Sequence, residues 1–471
     1  MIDTRFLQYA RDEEREAFQR PPVAAARAHD PVARLAQVAM LLGGAVIVVA
    51  LAGWRGWLPL LLGLGLLATA TAVYYRASYR GRHPGIQHDG LFFSSVTGRG
   101  IIGWALGILL TAFYVVLYWF PARLEPAIRM LDPLSHLLAR RAADHWFLYG
   151  TLYTLAVLVF GSRMLMRYRH NRYQQIRTAS VMFFQLGFAF LLPNLLKAFN
   201  QPEFYFTYFW PLKPEYLWPA GFGMGWILDS GRVGAFMIGW GIVMAFLATP
   251  VLTYFYGKRW YCSWVCGCGG LAETLGDPFR QLSNKSTRAW RVERVVVYSV
   301  LVLVVITTIL LWINHATSGA VFGSSSASLK KWYGFYIGAL FSGVIGVGFY
   351  PVMGARVWCR FGCPMAAILG IQQKLWSRFR ITTNGGQCMS CGNCSTFCEM
   401  GIDVRAYAQQ GLNIVRSSCV GCGVCAAVCP RGVLKLENGR QAGDRYPGAS
   451  RPFALLRRTL RKKPRAGSYT G

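Results

Sequence analysis

Thirteen cysteines occur in the 471-residue chain, and all of them fall into four tight groups in its second half. Cys388, Cys391, Cys394 and Cys398 form one C-x2-C-x2-C-x3-C run, and Cys419, Cys422, Cys425 and Cys429 form a second, with Pro430 directly behind it. Thiolates at this spacing are ligands for iron–sulfur clusters: three cysteines wrap one cluster and the fourth reaches its neighbour, because so short a loop cannot enclose a cube alone. The inferred ligand sets are crossed. One [4Fe-4S] cluster takes Cys388, Cys391, Cys394 and Cys429; the other takes Cys419, Cys422, Cys425 and Cys398. Zinc sites usually pair two C-x2-C units at wider spacing, so iron–sulfur chemistry is favoured. Gly392, Gly421 and Gly423 suit loops whose amides approach inorganic sulfide closely. Glu399 stands where many such runs place proline, a change to the loop after Cys398 and not to ligand identity.

The other five cysteines lie just after apolar segments and form a repeat. Gly257-x-Arg259-x-Tyr261-Cys262-x3-Cys266 matches Gly354-x-Arg356-x-Trp358-Cys359-x3-Cys363 at an offset of 97 residues. If these stretches are helical, the spacing of four puts both thiols of each copy on one face, and two facing helices could present four thiolates to one metal centre. Arg259 and Arg356 would then offset thiolate charge. Three readings stay open for Cys262, Cys266, Cys359 and Cys363: a further metal centre or cluster, a redox-active dithiol, or small buried residues. Cys268 is unassigned.

These sites need elements to hold them, and composition says which. A chain that is 54% hydrophobic and only 15% charged belongs to the membrane class. Eight segments are apolar enough to span: 38–51, 57–75, 101–120, 146–162, 179–196, 233–256, 295–313 and 332–353. The first is short and contains glycine, so it could instead pair with the second as a hairpin around Gly53–Gly56, leaving seven. The loops 76–100, 163–178 and 257–294 carry sixteen Lys and Arg against ten in the intervening loops, which places the first set, both termini and every cysteine in the cytoplasm. The expected fold is therefore mostly α: a polytopic helical membrane protein of about eight spans, with a C-terminal α+β two-[4Fe-4S] ferredoxin domain. Its parts are a cytoplasmic arm (1–36), transmembrane helices 1–6 (37–256), a cysteine-containing cytoplasmic loop (257–294), helices 7–8 (295–353), a membrane-edge cysteine motif and linker (354–380), the ferredoxin domain (381–440) and a basic tail (441–471). The arm lacks the uninterrupted apolar core of a cleavable signal. The tail suits anionic lipid.

From about residue 233 to 438 the chain resembles the membrane-bound polyferredoxins of the NapH and NosR type and, more distantly, the oxidase-assembly protein CcoG. Cys359, Cys363 and Pro364 match the family's C-x3-C-P motif, whereas Cys262 and Cys266 are followed by Gly267 and Cys268. The resemblance implies a multi-pass protein of the cytoplasmic membrane that passes electrons between quinol or cytoplasmic donors and another redox protein. An electron-transfer subunit of an oxidoreductase system fits this better than a stand-alone enzyme. A metallocentre-maturation or metal-reducing factor and a redox sensor are the alternatives.

Other chemistry finds little support. The formal charge of +30 comes without any nucleic-acid-binding motif, so nucleic acid is not an expected partner. None of the seven histidines lies mid-span, which argues against bis-histidine haem. No flavin-binding domain precedes the spans, and no Asp or Glu interrupts them, as a proton path would require. Gln185 is the most evident mid-span polar residue and reads as a helix–helix hydrogen bond. The aromatic stretch Phe204–Trp218, expected at the outer face, suits an interfacial belt or the wall of a quinone site. The partners implied are the bilayer, a redox protein and quinone.

Overall fold

The computed structural model describes residues 31–52, 57–79, 100–217 and 231–438. Most of the expected arm, Gly53–Gly56, much of the loop 76–100, the tail and His29, His83 and His88 lie outside the described residues.

Apolar sequence makes long helices here because inside a bilayer only intra-helical bonding satisfies the backbone. Among the described residues, four helices are long and apolar enough to cross a membrane: α4 (His145–Arg167), α5 (Arg172–Ala198), α6 (Arg232–Tyr256) and α8 (Thr287–Ala316). Asp144, Asn171 and Ser286 cap the starts of α4, α5 and α8, each side chain accepting a backbone N–H of the first turn. Three of the other four expected segments are continuous helices, and the fourth is broken. Helices α1 (Pro31–Ala52) and α2 (Trp57–Tyr79) contain only shorter apolar stretches and pack along each other. A Cβ on Gly43 would sit 2.9 Å from Leu67 Cγ, so the absent side chain is what lets the two backbones approach. Helix α3 (Ile101–Trp119) is followed after Phe120 by Pro121–Met130, and the two run at 111° to one another. The segment expected at 332–353 is broken: a short helix passes into π-helix at Gly334–Ile345, then into turns, then into one last turn at Tyr350–Met353. Glycine explains the break. Gly343 admits the rings of Tyr114 and Tyr118, and Gly348 abuts Thr111, so close packing against α3 takes the place of a straight span.

Short helix α7 (Gly267–Glu273) lies between α4 and α5, and α9 (Pro364–Trp376) packs on α6 and α8. Strands β1 (Phe379–Thr383) and β2 (Leu434–Asn438) pair antiparallel, with Ile381 opposite Leu436, and close the cysteine-rich segment between them. A two-stranded sheet is marginal alone. Here Phe379, Ile381 and Leu434 are buried in one core shared with Trp260, Tyr261, Trp358 and cysteines of all four groups.

Candidate functional site: two cysteine cavities and a buried thiol repeat

The eight cysteines between the strands line two cavities. Cys388, Cys391, Cys394 and Cys429 border one of about 370 Å³, part of it open to solvent, together with Met389, Arg405 and Arg431. Cys398, Cys419, Cys422 and Cys425 border the other, of about 360 Å³, with Ile381, Ile402 and Val420. Each cavity thus draws three thiols from one run and one from the other. The two halves share a local design: Gly392 and Gly423 both adopt left-handed backbone and cap one-turn helices that carry Cys394 and Cys425. Gly421, at φ +66°, also lies where a Cβ would meet Arg259 Cβ at 2.7 Å. Ile402 N–H donates to Cys398 Sγ at 3.4 Å, the kind of amide contact that stabilises a thiolate.

The fit to a cluster follows from the donors. Among the described residues no three His, Cys, Asp or Glu side chains converge tightly enough to hold a single metal ion. Sulfurs on one tetrahedral zinc at ~2.3 Å would have to converge in that way. Four thiols set wider around a common cavity suit a larger group.

The two membrane-edge copies are alike in three dimensions. Gly257 and Gly354 both take positive φ, +66° and +95°, and donate to the carbonyls of Thr253 and Tyr350 at 2.9 and 3.1 Å. Cys266 N–H donates to Tyr261 O at 2.8 Å, and Cys363 N–H to Trp358 O at 3.0 Å. The helical premise, however, holds only for the first cysteine of each copy. Cys266 and Cys363 are extended, and helices α7 and α9 begin immediately after them, at Gly267 and Pro364. The four thiols are buried in the shared core, and charge on Cys266 or Cys359 is felt at Cys262. Burial pushes the Cys262 thiol up to about 12, with Lys258 and Arg356 opposing it. Burial likewise raises Cys359, against Arg356, whose Nη1 lies 3.5 Å from its Sγ.

Arg259 does not serve the thiols as expected. Its guanidinium lies 4.5 Å from the Phe379 ring centroid and donates to Asn438 Oδ1 at 3.1 Å, which fastens the ferredoxin module. Lys258, 2% exposed and bonded to Ser417 O at 3.1 Å, is the cation beside Cys262. No spacing rule marks it out.

The first copy also reaches deeper than an edge. A Cβ on Gly267 would lie 2.9 Å from Gln185 Oε1, and α7 ends at Glu273, paired with Arg177 at 2.6 Å. Gln185 and Arg177 are eight residues apart on α5, so α7 begins roughly 12 Å further into the bundle than that ion pair. Irregular backbone at this depth is tolerated where protein encloses it. Cys268 is hydrogen-bonded to Cys266 and within electrostatic range of the hydroxyls of Tyr114, Tyr118, Tyr149, Tyr153, Tyr208 and Tyr350.

A buried ionic network was not foreseen. Asp277 meets Arg163, Arg167 and Arg280 at 2.9, 2.7 and 2.8 Å. Arg280 continues to Glu399 at 2.5 Å, Glu399 to Arg356 at 3.0 Å, and Arg356 to Glu273 at 2.5 Å. Burial alone would raise the carboxyls of Asp277 and Glu399, but the arginines around them outweigh it and hold both below the usual carboxylate range. Counting Arg177, five arginines face three carboxylates, a net positive environment next to the cysteine centres. One signal was legible: Glu273, Asp277 and Glu293 are the only acids in the segment 257–294, which carries seven bases.

Gln185 Nε2 donates to Thr154 Oγ1 at 3.1 Å, a bond between α5 and α4. The aromatic stretch from Phe204 does not stay at the outer face. Tyr261 OH donates to Thr207 O at 2.7 Å and Phe209 packs on Tyr261 at 5.4 Å, so the segment folds inward against the cysteine loop. Trp218 lies outside the described residues.

Comparison with known proteins agrees with the chemistry of these residues. A 4Fe-4S dicluster domain model matches residues 387–434, and a 4Fe-4S binding domain model matches twice, at 238–286 and 335–384. The second model covers both membrane-edge copies. The chain is similar to YccM of Escherichia coli (strain K12), whose name proposes electron transport, with 27% identity over 170 residues. That alignment takes in 35% of this chain and 46% of YccM, so the chain spans about half the length of the curated relative it matches. No solved structure matches the chain. The chain carries 4Fe-4S binding domains and, among the described residues, four helices fit to cross a membrane.

Proposed function

We propose that the chain is a multi-pass protein of the cytoplasmic membrane that passes single electrons between a soluble donor or acceptor and a partner in or across the membrane. Cys388, Cys391, Cys394 and Cys429 hold one [4Fe-4S] cluster; Cys419, Cys422, Cys425 and Cys398 hold the second. The observation that carries this reading is the lining of the two cavities, each by three thiols of one run and one of the other. A bound [4Fe-4S] cluster supplies a one-electron couple, with potentials that span about −700 to +450 mV across proteins.

The chain's own residues do the rest. The buried Arg177 and Arg280 beside Cys422 offset the negative charge of the thiolates around the second cube, which favours ligation and raises its potential relative to an uncompensated site. Apolar walls such as Ile381, Ile402 and Val420 exclude water from the second cavity. Cys262, Cys266, Cys359 and Cys363 form a third centre between the two copies, a reading supported by the repeated match to one 4Fe-4S binding model. The tyrosine hydroxyls around Cys268 support a membrane-phase partner that is apolar and accepts hydrogen bonds, the chemistry of a quinone. The basic residues of 163–178 and 257–294 support a cytoplasmic location for this end of the bundle.

Metal analysis of anaerobically purified protein tests the proposal. It should return about eight iron atoms from the two ferredoxin clusters, and more if the third centre is a cluster. Zinc in place of iron would sink it.

A further inference from the structure

The two cavities of the ferredoxin module face different surroundings. Cys391 is exposed, and the cavity it borders is rimmed by Met389, which is 59% exposed, and by the exposed Arg405 and Arg431. Polar side chains beside that cavity bond within the module, Ser395 to Asp403 and Gln409 to Ser390.

The other cavity is held from the membrane side. Ser263 Oγ donates to Val420 O at 2.9 Å, Gln174 Nε2 to Cys422 O at 2.9 Å and Gln373 Nε2 to Cys419 O at 2.8 Å. Ser263 lies between Cys262 and Cys266, and Val420 between Cys419 and Cys422. One hydrogen bond therefore joins the two cysteine loops directly. A second bridge runs through charge. Glu399, next to Cys398 and 1% exposed, pairs with Arg356, and Arg356 Nη1 lies 3.5 Å from Cys359 Sγ.

We infer that the module is a wire of fixed order: the Cys388 set is the aqueous-side centre, the Cys419 set is the inner one, and the inner centre exchanges electrons with the thiol centre of Cys262 and Cys359. Glu399 and Ser263 are positioning residues for that exchange. The inference rests on the cluster reading above. Each step would move one electron: a one-electron donor protein would be oxidised as the outer centre is reduced, the outer centre reoxidised as the inner one is reduced, and the inner centre reoxidised as a cluster held by Cys262, Cys266, Cys359 and Cys363 is reduced. No bond forms or breaks. A latch without redox consequence would also explain Glu399, so the test must read something a latch would not move.

Two measurements do so on the full chain in detergent. In a redox titration followed by EPR, Glu399→Gln should retain its iron and shift the potential of the inner centre upward, because Arg280 and Arg356 lose their counter-charge beside it. The outer centre, identified as the signal lost in Cys391→Ser, should stay in place. Equal shifts, a larger shift at the outer centre, or no shift at either would overturn the inference. If Glu399→Gln does not fold, the wild-type protein decides: a hydrophilic gadolinium chelate should speed relaxation of the outer signal more than the inner, and the reverse or an equal effect would overturn the order. Iron-free wild-type protein would instead remove the cluster reading itself, visible in metal analysis before either measurement.

Discussion

Asp277 shows how much one carboxylate can organise when it is buried among cations. It is 3% exposed and meets three arginines within 3 Å. Replacing it by Ala strands those guanidinium groups, and breaking a buried ion pair costs about 3–5 kcal/mol. Asp277→Ala should therefore lower the midpoint of thermal unfolding followed by circular dichroism, whereas Glu125→Ala, at a half-exposed pair, should hardly move it. Acid dependence follows the same logic. The native carboxyl of Asp277 is held below its unfolded value, so its contribution is complete above the ordinary Asp pKa of ~3.9 and is lost only as pH falls through the depressed native value. Melting curves between pH 2 and 7 should show that Asp277→Asn costs the same stability from pH 7 down to about pH 4 and progressively less below it. A uniform loss across the range would remove this account.

Helix α7 is the element on which the membrane side of the site depends. It fits between α4 and α5 because its residues are small: a Cβ on Gly270 would lie 2.5 Å from Val181 Cγ1. Gly270→Leu forces atoms into that contact, and overpacking of this kind costs about 1–3 kcal/mol. Its effect should be local. Iron bound by the ferredoxin module should persist, while any signal belonging to Cys262, Cys266, Cys359 and Cys363 should weaken, as read by EPR and iron analysis together. Loss of the ferredoxin signals with the third centre intact would contradict this placement of α7.

At the scale of the whole molecule, the helices and the ferredoxin module share one core instead of being joined by a linker. Arg378 N–H donates to Tyr254 O at 2.8 Å, and Tyr173 OH to Gly421 O at 2.8 Å. Proteolysis should therefore not release the module as a stable fragment from folded protein, and limited digestion followed by mass analysis checks this. The proposed orientation has its own test. A cysteine placed at Arg140, in the loop before α4, should react with a membrane-impermeant thiol reagent from the outer side of intact cells, and one placed at the exposed Lys435 of the ferredoxin module should react only after the cells are opened.

The sequence by itself determined the chemistry and the kind of element around it. Iron–sulfur ligand runs are local, since their spacing comes from a loop wrapping a cube, and apolar length is a sum over neighbouring residues; both are readable without a fold. The repeat was legible for the same reason, and Gly257 and Gly354 do occupy matching backbone positions. What only the tertiary structure decided are relations between residues far apart in the chain. Arg259 faces Phe379 and not a thiol, and Glu399, outwardly a loop substitution, closes an ion pair with Arg280 and Arg356. The segment after Ser325 departs from a simple span because Gly343 and Gly348 let α3 press into it. Hydropathy counts apolar residues along a segment; whether that segment stays straight depends on what packs against it.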